Sequence, residues 1–279
     1  METSNMLILT DFSNAALNAA RYAAALAYQL KTPKLILYHS FEPAAIPPII
    51  FVPLSEGFTD SLDESNGRIT ELKNDLQDWL PEQTKIETLV DDRALVPAVN
   101  TLIGQYDIGL VVAGITGKSN LEKILIGSNT IGLAKNGQAP LLIVPPVAAF
   151  QPIKTIVFAG DLKQVSEPGS VFAIKTFVHA LGARLILLNV DDYGKHSDAD
   201  NNDEMAALHE IWGSQVEYHY IDHNDTVAGI MEFAGQQRAE LVITILKEHS
   251  FFENIFHRSM TTRLAYHTHL PLLLFKEKL

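Results

Sequence analysis

The sequence predicts an α/β protein made of two tandem doubly wound domains, each built on a five-stranded parallel sheet. Its 279 residues, 47% of them hydrophobic, suit two medium domains better than one. The two parts of the chain align with each other as an internal repeat. Within each part, apolar strand-like runs alternate with helix-like segments, which is the pattern of a doubly wound sheet.

The repeat is clearest where polar landmarks and apolar runs align together. At an offset of 150 residues, Asp11 aligns with Asp161, and the run KLILYH aligns with RLILLN. At an offset of 131 residues, Pro140 aligns with Pro271 without a gap. Two copies of one unit are the simplest explanation of these matches. We call them the first repeat and the second repeat.

The boundary between the repeats falls at the segment PPVAAFQP, whose prolines are typical of a linker. The predicted domains are residues 1–147 and residues 152–279. An insertion around residues 42–80 makes the first repeat longer. Its first part, residues 42–60, is apolar and rich in proline. This segment could form a flap, a surface for a partner or a packed loop, and the sequence does not decide among them.

The elements of the first repeat follow from local signals. Ser13 is a suitable N-cap, and the alanine-rich segment after it consists of good helix formers. Gly137 is placed to end the fourth helix. The run KLILYH is continuously apolar, which favours a strand covered on both faces. The predicted strands are Met6–Thr10, Lys34–His39, Lys85–Val90, Ile108–Ala113 and Leu141–Val144, and the predicted helices are Asn14–Leu30, Leu62–Leu80, Ala94–Gln105 and Ser128–Asn136.

The second repeat shows the same alternation. Its predicted strands are Thr155–Ala159, Arg184–Asn189, Val216–Tyr220, Leu241–Leu246 and Leu272–Phe275. The last strand of each repeat would be an apolar sheet edge, which proteins normally cover. Each of these two edges is therefore expected to need a covering partner.

Charge and cysteine content exclude several classes of function. The net charge is -12, divided equally between residues 1–150 and 151–279, so a nucleic-acid or anionic-membrane partner is not expected. The absence of cysteine excludes disulfides, thiolate metal sites and cysteine nucleophiles. No signal peptide or bilayer-spanning run is evident in the sequence, so a cytoplasmic location is expected.

A glycine motif follows the fourth predicted strand. Gly114 and Gly117 come directly after that strand, and Gly127 precedes Ser128 at the start of the next helix. Glycines there would let the backbone turn sharply and approach a ligand closely. Free N–H groups at the helix start, together with the nearby hydroxyls, favour an anion such as phosphate.

Asp11 follows the first predicted strand in the same way. In doubly wound sheets, ligands bind beyond the carboxyl ends of the strands, where the strand order reverses. If strands one and four are neighbours, Asp11 and Gly114 face one crevice. A carboxylate there can contact a ligand, cap the first helix, or do both.

The sequence resembles the universal stress protein family in its tandem two-domain form. The resemblance covers almost the whole chain and depends on LTDFSNAALNAARYAAALA, on LILYHSFEP and on the spacing G-x2-G-x9-G-S. It implies an adenine nucleotide alpha hydrolase-like sheet with strand order 3-2-1-4-5. It also implies that the first repeat binds ATP, with or without Mg²⁺, and that the fifth strands form an internal pseudo-dimer. Further homodimerisation is left open.

The resemblance assigns roles residue by residue. Thr10 and Asp11 border the base, together with Ser40, and the helix start holds the phosphates. Lys118 is either a phosphate ligand or a solvated surface charge. The cofactor-binding candidates implied in this way are Thr10, Asp11, Ser40, Gly114, Gly117, Lys118, Gly127, Ser128, Asn129 and Thr130.

The second repeat departs from the motif. The three glycines are replaced by Ile245, Glu248 and Arg258, and Ser259 alone is kept. Side chains would fill the space that phosphates need, so the second repeat is predicted not to bind ATP in this manner. Asp161 is interpreted as a structural residue.

The functional prediction is an ATP-binding stress-response regulator with one competent repeat and an unknown protein partner. No general base or nucleophile is evident for phosphoryl transfer, so fast hydrolysis is not expected, while slow turnover stays open. One alternative is an interaction protein that binds no nucleotide and uses residues 42–60. Another is nucleotidyl transfer, for which the first repeat offers only Lys118. A metal site at His267 and His269 lacks a third ligand at suitable spacing.

Overall fold

The structure is a computed structural model that describes residues 4–41, 54–115, 128–160, 168–191, 208–213, 215–246 and 270–276. The first repeat contains β1 (Asn5–Leu9), α1 (Asn14–Leu30), β2 (Lys34–Ser40), α2 (Leu54–Gln77), β3 (Lys85–Asp91), α3 (Leu95–Tyr106), β4 (Ile108–Gly114), α4 (Ser128–Asn136) and β5 (Leu141–Val144). The second repeat contains β6 (Thr155–Ala159), α5 (Pro168–Leu181), β7 (Arg184–Asp191), a helical segment α6 (208–212), β8 (Glu217–Asp222), α7 (Thr226–Gln236), β9 (Leu241–Leu246) and β10 (Leu272–Lys276).

The ten strands form one sheet in the order β3-β2-β1-β4-β5-β10-β9-β6-β7-β8. The pairings within each repeat are parallel. The first repeat therefore has the predicted order 3-2-1-4-5, and the second repeat has the same order when its strands are counted from β6. The predicted α/β fold class is confirmed.

The strand registers agree with the alignment of the two repeats. Ile8 of β1 lies beside Val112 of β4, and Phe158 of β6 lies beside Ile243 of β9. These are the pairs that the offsets of 150 and 131 residues match. Positions in the two repeats can therefore be compared in space as well as in sequence.

The two repeats join through their last strands. β5 and β10 pair antiparallel, with Leu142 beside Leu273. Both leucines are buried. The two apolar edges therefore cover each other within this chain, which gives the internal pseudo-dimer that the resemblance implied.

Both faces of the sheet are covered, which explains the continuously apolar strands. Alternate residues of a strand point to opposite faces, so Met6 and Ile8 belong to one core cluster and Leu7 and Leu9 to another. The first cluster spans both repeats beneath α1, α2 and α5. On the opposite face, α3 and α4 cover the first repeat and α7 covers the second.

The first and fourth helices have the bounds that the sequence predicted. The hydroxyl of Ser13 caps α1 by accepting a hydrogen bond from the backbone N–H of Ala16, at 3.2 Å. Gly137 follows α4 directly, and a Cβ at this position would lie 2.5 Å from the carbonyl oxygen of Leu133. A side chain cannot be placed there without movement of the backbone.

The second helix differs from the prediction. The sequence predicted Leu62–Leu80, but α2 runs from Leu54 to Gln77. Its first turns come from the insertion, where polar residues hide the helical periodicity. Pro53 stands just before the helix, a position that proline tolerates, and Pro81 lies shortly after its end.

The linker between the repeats is held by contacts from α1. The side chain of Gln29 donates to the carbonyl oxygens of Ile153 and Leu181, at 2.8 and 3.0 Å. It also accepts from the N–H of Ile153 at 2.9 Å. The buried ring of Tyr22 packs edge-on against Phe150 with ring centroids 5.1 Å apart. These contacts hold the linker and the residue after it against α1, and they join α1 to the end of α5.

Across the residues that the structure describes, none of the helices combines the length and the apolar character needed to cross a lipid bilayer.

One buried hydroxyl gives a stability prediction. Among the described residues, the Thr244 hydroxyl in β9 has no hydrogen-bond partner and its residue is 0% exposed. The buried Thr84 hydroxyl, in contrast, donates to the carbonyl oxygen of Thr32 at 2.8 Å. An unpaired buried hydroxyl destabilises the folded state, whereas a paired one stabilises it.

We therefore expect Thr244→Val to raise the free energy of unfolding by about 1 kcal/mol and Thr84→Val to lower it by about 1 kcal/mol. Urea unfolding monitored by circular dichroism measures both. A Thr244→Val protein that is less stable than the Thr84→Val protein would contradict this expectation.

Candidate functional site

The candidate site lies where the carboxyl ends of β1 and β4 meet. The two strands are parallel neighbours, and in register Leu7 lies beside Val111 and Ile8 beside Val112. Their ends therefore reach the same edge of the sheet, with Asp11 just beyond β1 and Gly114 closing β4. Because β2 lies on the other side of β1, the chain leaves β1 in one direction and β4 in the other. This is the switch point at which doubly wound sheets bind ligands.

Gly114 is required by close packing at this edge. A Cβ at Gly114 would lie 2.4 Å from the carbonyl oxygen of Ala15 and 3.0 Å from the N–H nitrogen of Ala16. The first turn of α1 thus lies directly against the end of β4. The sequence had led us to expect a sharp turn here, but Gly114 does not have a left-handed φ. The structure gives a packing reason for the glycine instead.

The Thr10–Ser13 segment forms a tight polar turn between β1 and α1. The hydroxyl of Thr10 accepts from the N–H of Phe12 at 3.0 Å, and the carboxylate of Asp11 accepts from the N–H of Ser13 at 3.0 Å. Thr10 is buried, whereas the Asp11 side chain is exposed. Asp11 therefore orders the start of α1 and still presents its carboxylate to solvent at the switch point.

Phe12 has an unusual backbone. Its φ of 61° lies in the left-handed region, which bulky residues seldom occupy. The His39 ring lies 4.5 Å from the Phe12 ring, and the guanidinium carbon of Arg68 lies 4.3 Å from the Phe12 ring centroid. No local signal in the sequence points to Phe12, His39 or Arg68, because only the fold brings β2 and α2 beside the turn after β1.

A second polar network surrounds Ser40. The Ser40 hydroxyl donates to the carbonyl oxygen of Arg93 at 2.6 Å, which ties the loop after β3 to the end of β2. Arg93 Nε donates to the Asp91 carboxylate at 2.8 Å, and the Tyr38 hydroxyl donates to the same carboxylate at 2.7 Å. The predicted base-side residue Ser40 is thus engaged in holding the β3–α3 loop.

This network changes the ionisation of its members. Burial raises the pKa of Asp91, but hydrogen bonds from Arg93 and Tyr38 outweigh it and leave that pKa below its usual value. Burial and the hydrogen bond to Asp91 raise the pKa of Tyr38 well above its usual value. At neutral pH Asp91 is a carboxylate and Tyr38 a phenol, so the network is intact.

Helix α4 begins at Ser128, as the sequence predicted. The first amides of a helix have no intrahelical acceptor, and the helix dipole places a partial positive charge there. Asn129 is exposed, whereas Thr130 is 8% exposed. At the helix start, Asn129 is therefore open to solvent, whereas Thr130 is mostly buried.

Three predicted residues of the glycine motif, Gly117, Lys118 and Gly127, lie outside the described residues. So do Asp161, Glu248, Arg258 and Ser259 of the second repeat, and His267 and His269. Ile245 is described: it lies beside Phe275 as Gly114 lies beside Val144, and it is buried. A branched side chain therefore occupies the position that must be glycine in the first repeat.

Metal ligands are not clustered in the described parts of the chain, where no group of three or more histidine, aspartate or glutamate side chains is placed to hold an ion. The described site instead offers backbone N–H groups, amide and hydroxyl groups and one exposed carboxylate. These groups can bind and orient a polar ligand.

Known proteins that are similar in sequence belong to one family. The sequence profile described as the Universal stress protein family matches residues 2–145. Over 144 residues, the chain is 26% identical to the universal stress protein MJ0531 of Methanocaldococcus jannaschii, which corresponds to 50% of this chain and 80% of that protein.

One solved structure shows the same fold over the whole chain. A universal stress protein from Archaeoglobus fulgidus aligns with 100% of this chain and 100% of its own, with a TM-score of 0.72 and 16% identity. Another universal stress protein from A. fulgidus, solved in complex with dAMP, covers 46% of this chain and 100% of its own, with a TM-score of 0.32 and 17% identity. At 16% identity the likeness to the first of these structures concerns the fold alone.

Proposed function

Because the chain belongs to the universal stress protein family, we propose that its first repeat binds an adenine nucleotide, ATP, between the carboxyl ends of β1 and β4. The observation that carries the proposal is the position of the exposed Asp11 carboxylate just beyond β1, whose parallel neighbour β4 ends at the same edge of the sheet. The glycine motif begins at this strand end and leads into the start of α4.

The proposed pose has two ends. Asp11 and the buried Thr10 border the base and ribose, together with Ser40. The phosphates lie toward the start of α4, where the backbone N–H groups and the side chains of Asn129 and Thr130 are the donors. The Ser128 hydroxyl joins them on the strength of its place in the sequence motif. Gly117, Gly127 and Lys118 complete the phosphate loop in this proposal, on the strength of their spacing in the sequence. Mg²⁺ would accompany the phosphates.

The second repeat is proposed not to bind ATP in this way. Ile245 occupies the position of Gly114, and a side chain there is incompatible with the close approach seen between β4 and α1. The division into domains at 1–147 and 152–279 remains part of the proposal. The protein would act as a cytoplasmic regulator whose bound nucleotide alters its contacts with a protein partner, with hydrolysis slow at most.

Analysis of the purified protein tests this proposal. We expect denaturation to release adenine nucleotide that chromatography identifies, and we expect calorimetric titration of nucleotide-free protein with ATP and Mg²⁺ to give saturable binding near one nucleotide per chain. GTP serves as the control ligand.

An absence of both released nucleotide and binding heat would contradict the proposal. That result would favour the alternative of an interaction protein that binds no nucleotide. Binding of two nucleotides per chain would contradict the assignment to the first repeat alone.

A further inference from the structure

A histidine that the sequence analysis did not identify lies beneath the proposed base-side turn. His39 is near the end of β2, and its Nδ1 lies 2.8 Å from the carbonyl oxygen of Thr10. Because a carbonyl oxygen only accepts, Nδ1 must carry the proton in this contact. His39 therefore donates a hydrogen bond to the residue that immediately precedes Asp11.

The same imidazole supports the strained part of the turn. Its ring lies 4.5 Å from the ring of Phe12, whose φ of 61° is unfavourable for a bulky side chain. The guanidinium of Arg68 lies over the Phe12 ring. A strained backbone persists where its surroundings determine it, and such residues concentrate at functional sites. His39 therefore contacts Thr10 and Phe12, the residues on either side of Asp11. These two contacts restrict the backbone from which the Asp11 side chain projects.

We propose that His39 is a positioning residue of the nucleotide site: it holds the Thr10–Ser13 turn so that the Asp11 carboxylate is oriented for the nucleotide before binding. The inference rests on the proposed function, because it concerns the affinity of that site. A group held in its binding orientation gives tighter binding than one that must be ordered by the ligand. His39 acts through Asp11 and need not contact the nucleotide.

The second repeat supplies the conservative substitution for a test. In the second repeat, the position equivalent to His39 is the buried Asn189. The equivalence holds because β6 and β7 pair in the same register as β1 and β2. An asparagine amide can donate a hydrogen bond as Nδ1–H does, whereas leucine cannot. Comparing His39→Asn with His39→Leu therefore separates the effect of the hydrogen-bond donor from the effect of side-chain size.

The test measures ATP affinity by calorimetry for the wild type and both variants, with thermal melts to show that each is folded. We expect His39→Leu to bind ATP roughly tenfold more weakly and His39→Asn to stay within about threefold of the wild type. A leucine variant that binds as tightly as the wild type would overturn the inference and leave the proposed function standing. Two equally weakened variants would also overturn it, because the donor would then not be the cause.

A second measurement does not depend on nucleotide binding. Long-range proton–nitrogen NMR spectra of the ligand-free protein distinguish the two imidazole tautomers, and His39→Asn assigns the signal. We expect neutral His39 to carry its proton on Nδ1. A proton on Nε2 would overturn the inference even if the leucine variant did not fold. If the wild type shows the Nδ1 tautomer but binds no adenine nucleotide, the proposed function fails, and with it the role of His39 in affinity.

Discussion

Replacing Gly114 by isoleucine is expected to lower the free energy of unfolding by about 2–4 kcal/mol, measured by urea denaturation. The added Cβ would lie 2.4 Å from the backbone carbonyl oxygen of Ala15, a distance that real Cβ contacts do not show. The obstacle is main chain rather than a flexible side chain, so β4 and the first turn of α1 must separate. Isoleucine is the residue that the second repeat carries at this position, as Ile245.

The matched control is Gly104→Ala, which lies within α3. A Cβ there meets nothing within 4 Å, so alanine adds helix propensity without a clash. We expect it to raise the free energy of unfolding by about 0.5–1 kcal/mol. A Gly114→Ile protein as stable as the wild type would contradict the packing that the structure shows between β4 and α1.

The second large effect is expected on nucleotide affinity. Replacing Gly127 by tryptophan is expected to weaken ATP binding by about a hundredfold or more, equivalent to about 2.7 kcal/mol. Gly127 immediately precedes Ser128, with which α4 begins. The indole would occupy the space through which phosphates reach the first amides of the helix.

The matched control for this variant is Arg258→Trp, which introduces tryptophan at the aligned position of the second repeat. Since the second repeat is proposed not to bind ATP, this variant should bind as the wild type does. Calorimetric titration measures both, with thermal melts as the check on folding. If Gly127→Trp binds ATP with wild-type affinity, the phosphate position proposed here is wrong.

Much of the fold could be predicted because its signals are local. The N-cap at Ser13 and the helix formers after it give the bounds of α1, and the continuously apolar run from Leu35 to Tyr38 indicates a strand buried on both faces. The pairing of β5 with β10 was expected from the family resemblance together with the internal repeat, and their apolar edges agree with it. Such features need no knowledge of distant residues.

The parts that could not be predicted depend on contacts between distant segments. The reason for glycine at position 114 is the carbonyl of Ala15, which is far away in sequence. The stacking of His39 and Arg68 on Phe12 joins three elements, and no local pattern indicates it. Ser40 was predicted to lie near the base, but its bond to the Arg93 carbonyl depends on the loop after β3.

The start of α2 was missed for a different reason. Its first turns contain few apolar residues, so their periodicity is weak. The apolar, proline-rich composition of 42–60 indicated a flap, a partner surface or a packed loop. The helix nevertheless extends back to Leu54. Its later turns place Arg68 over Phe12, so α2 contributes to the turn that carries Asp11.

The most direct test of the account is a crystal structure of the protein with ATP and Mg²⁺. We expect the adenine and ribose beside Asp11, at the carboxyl ends of β1 and β4, and the phosphates at the start of α4. We expect the equivalent place beside Ile245 in the second repeat to hold no nucleotide. Nucleotide density beside Ile245 and none beside Asp11 would contradict the central claim that the first repeat alone forms the site.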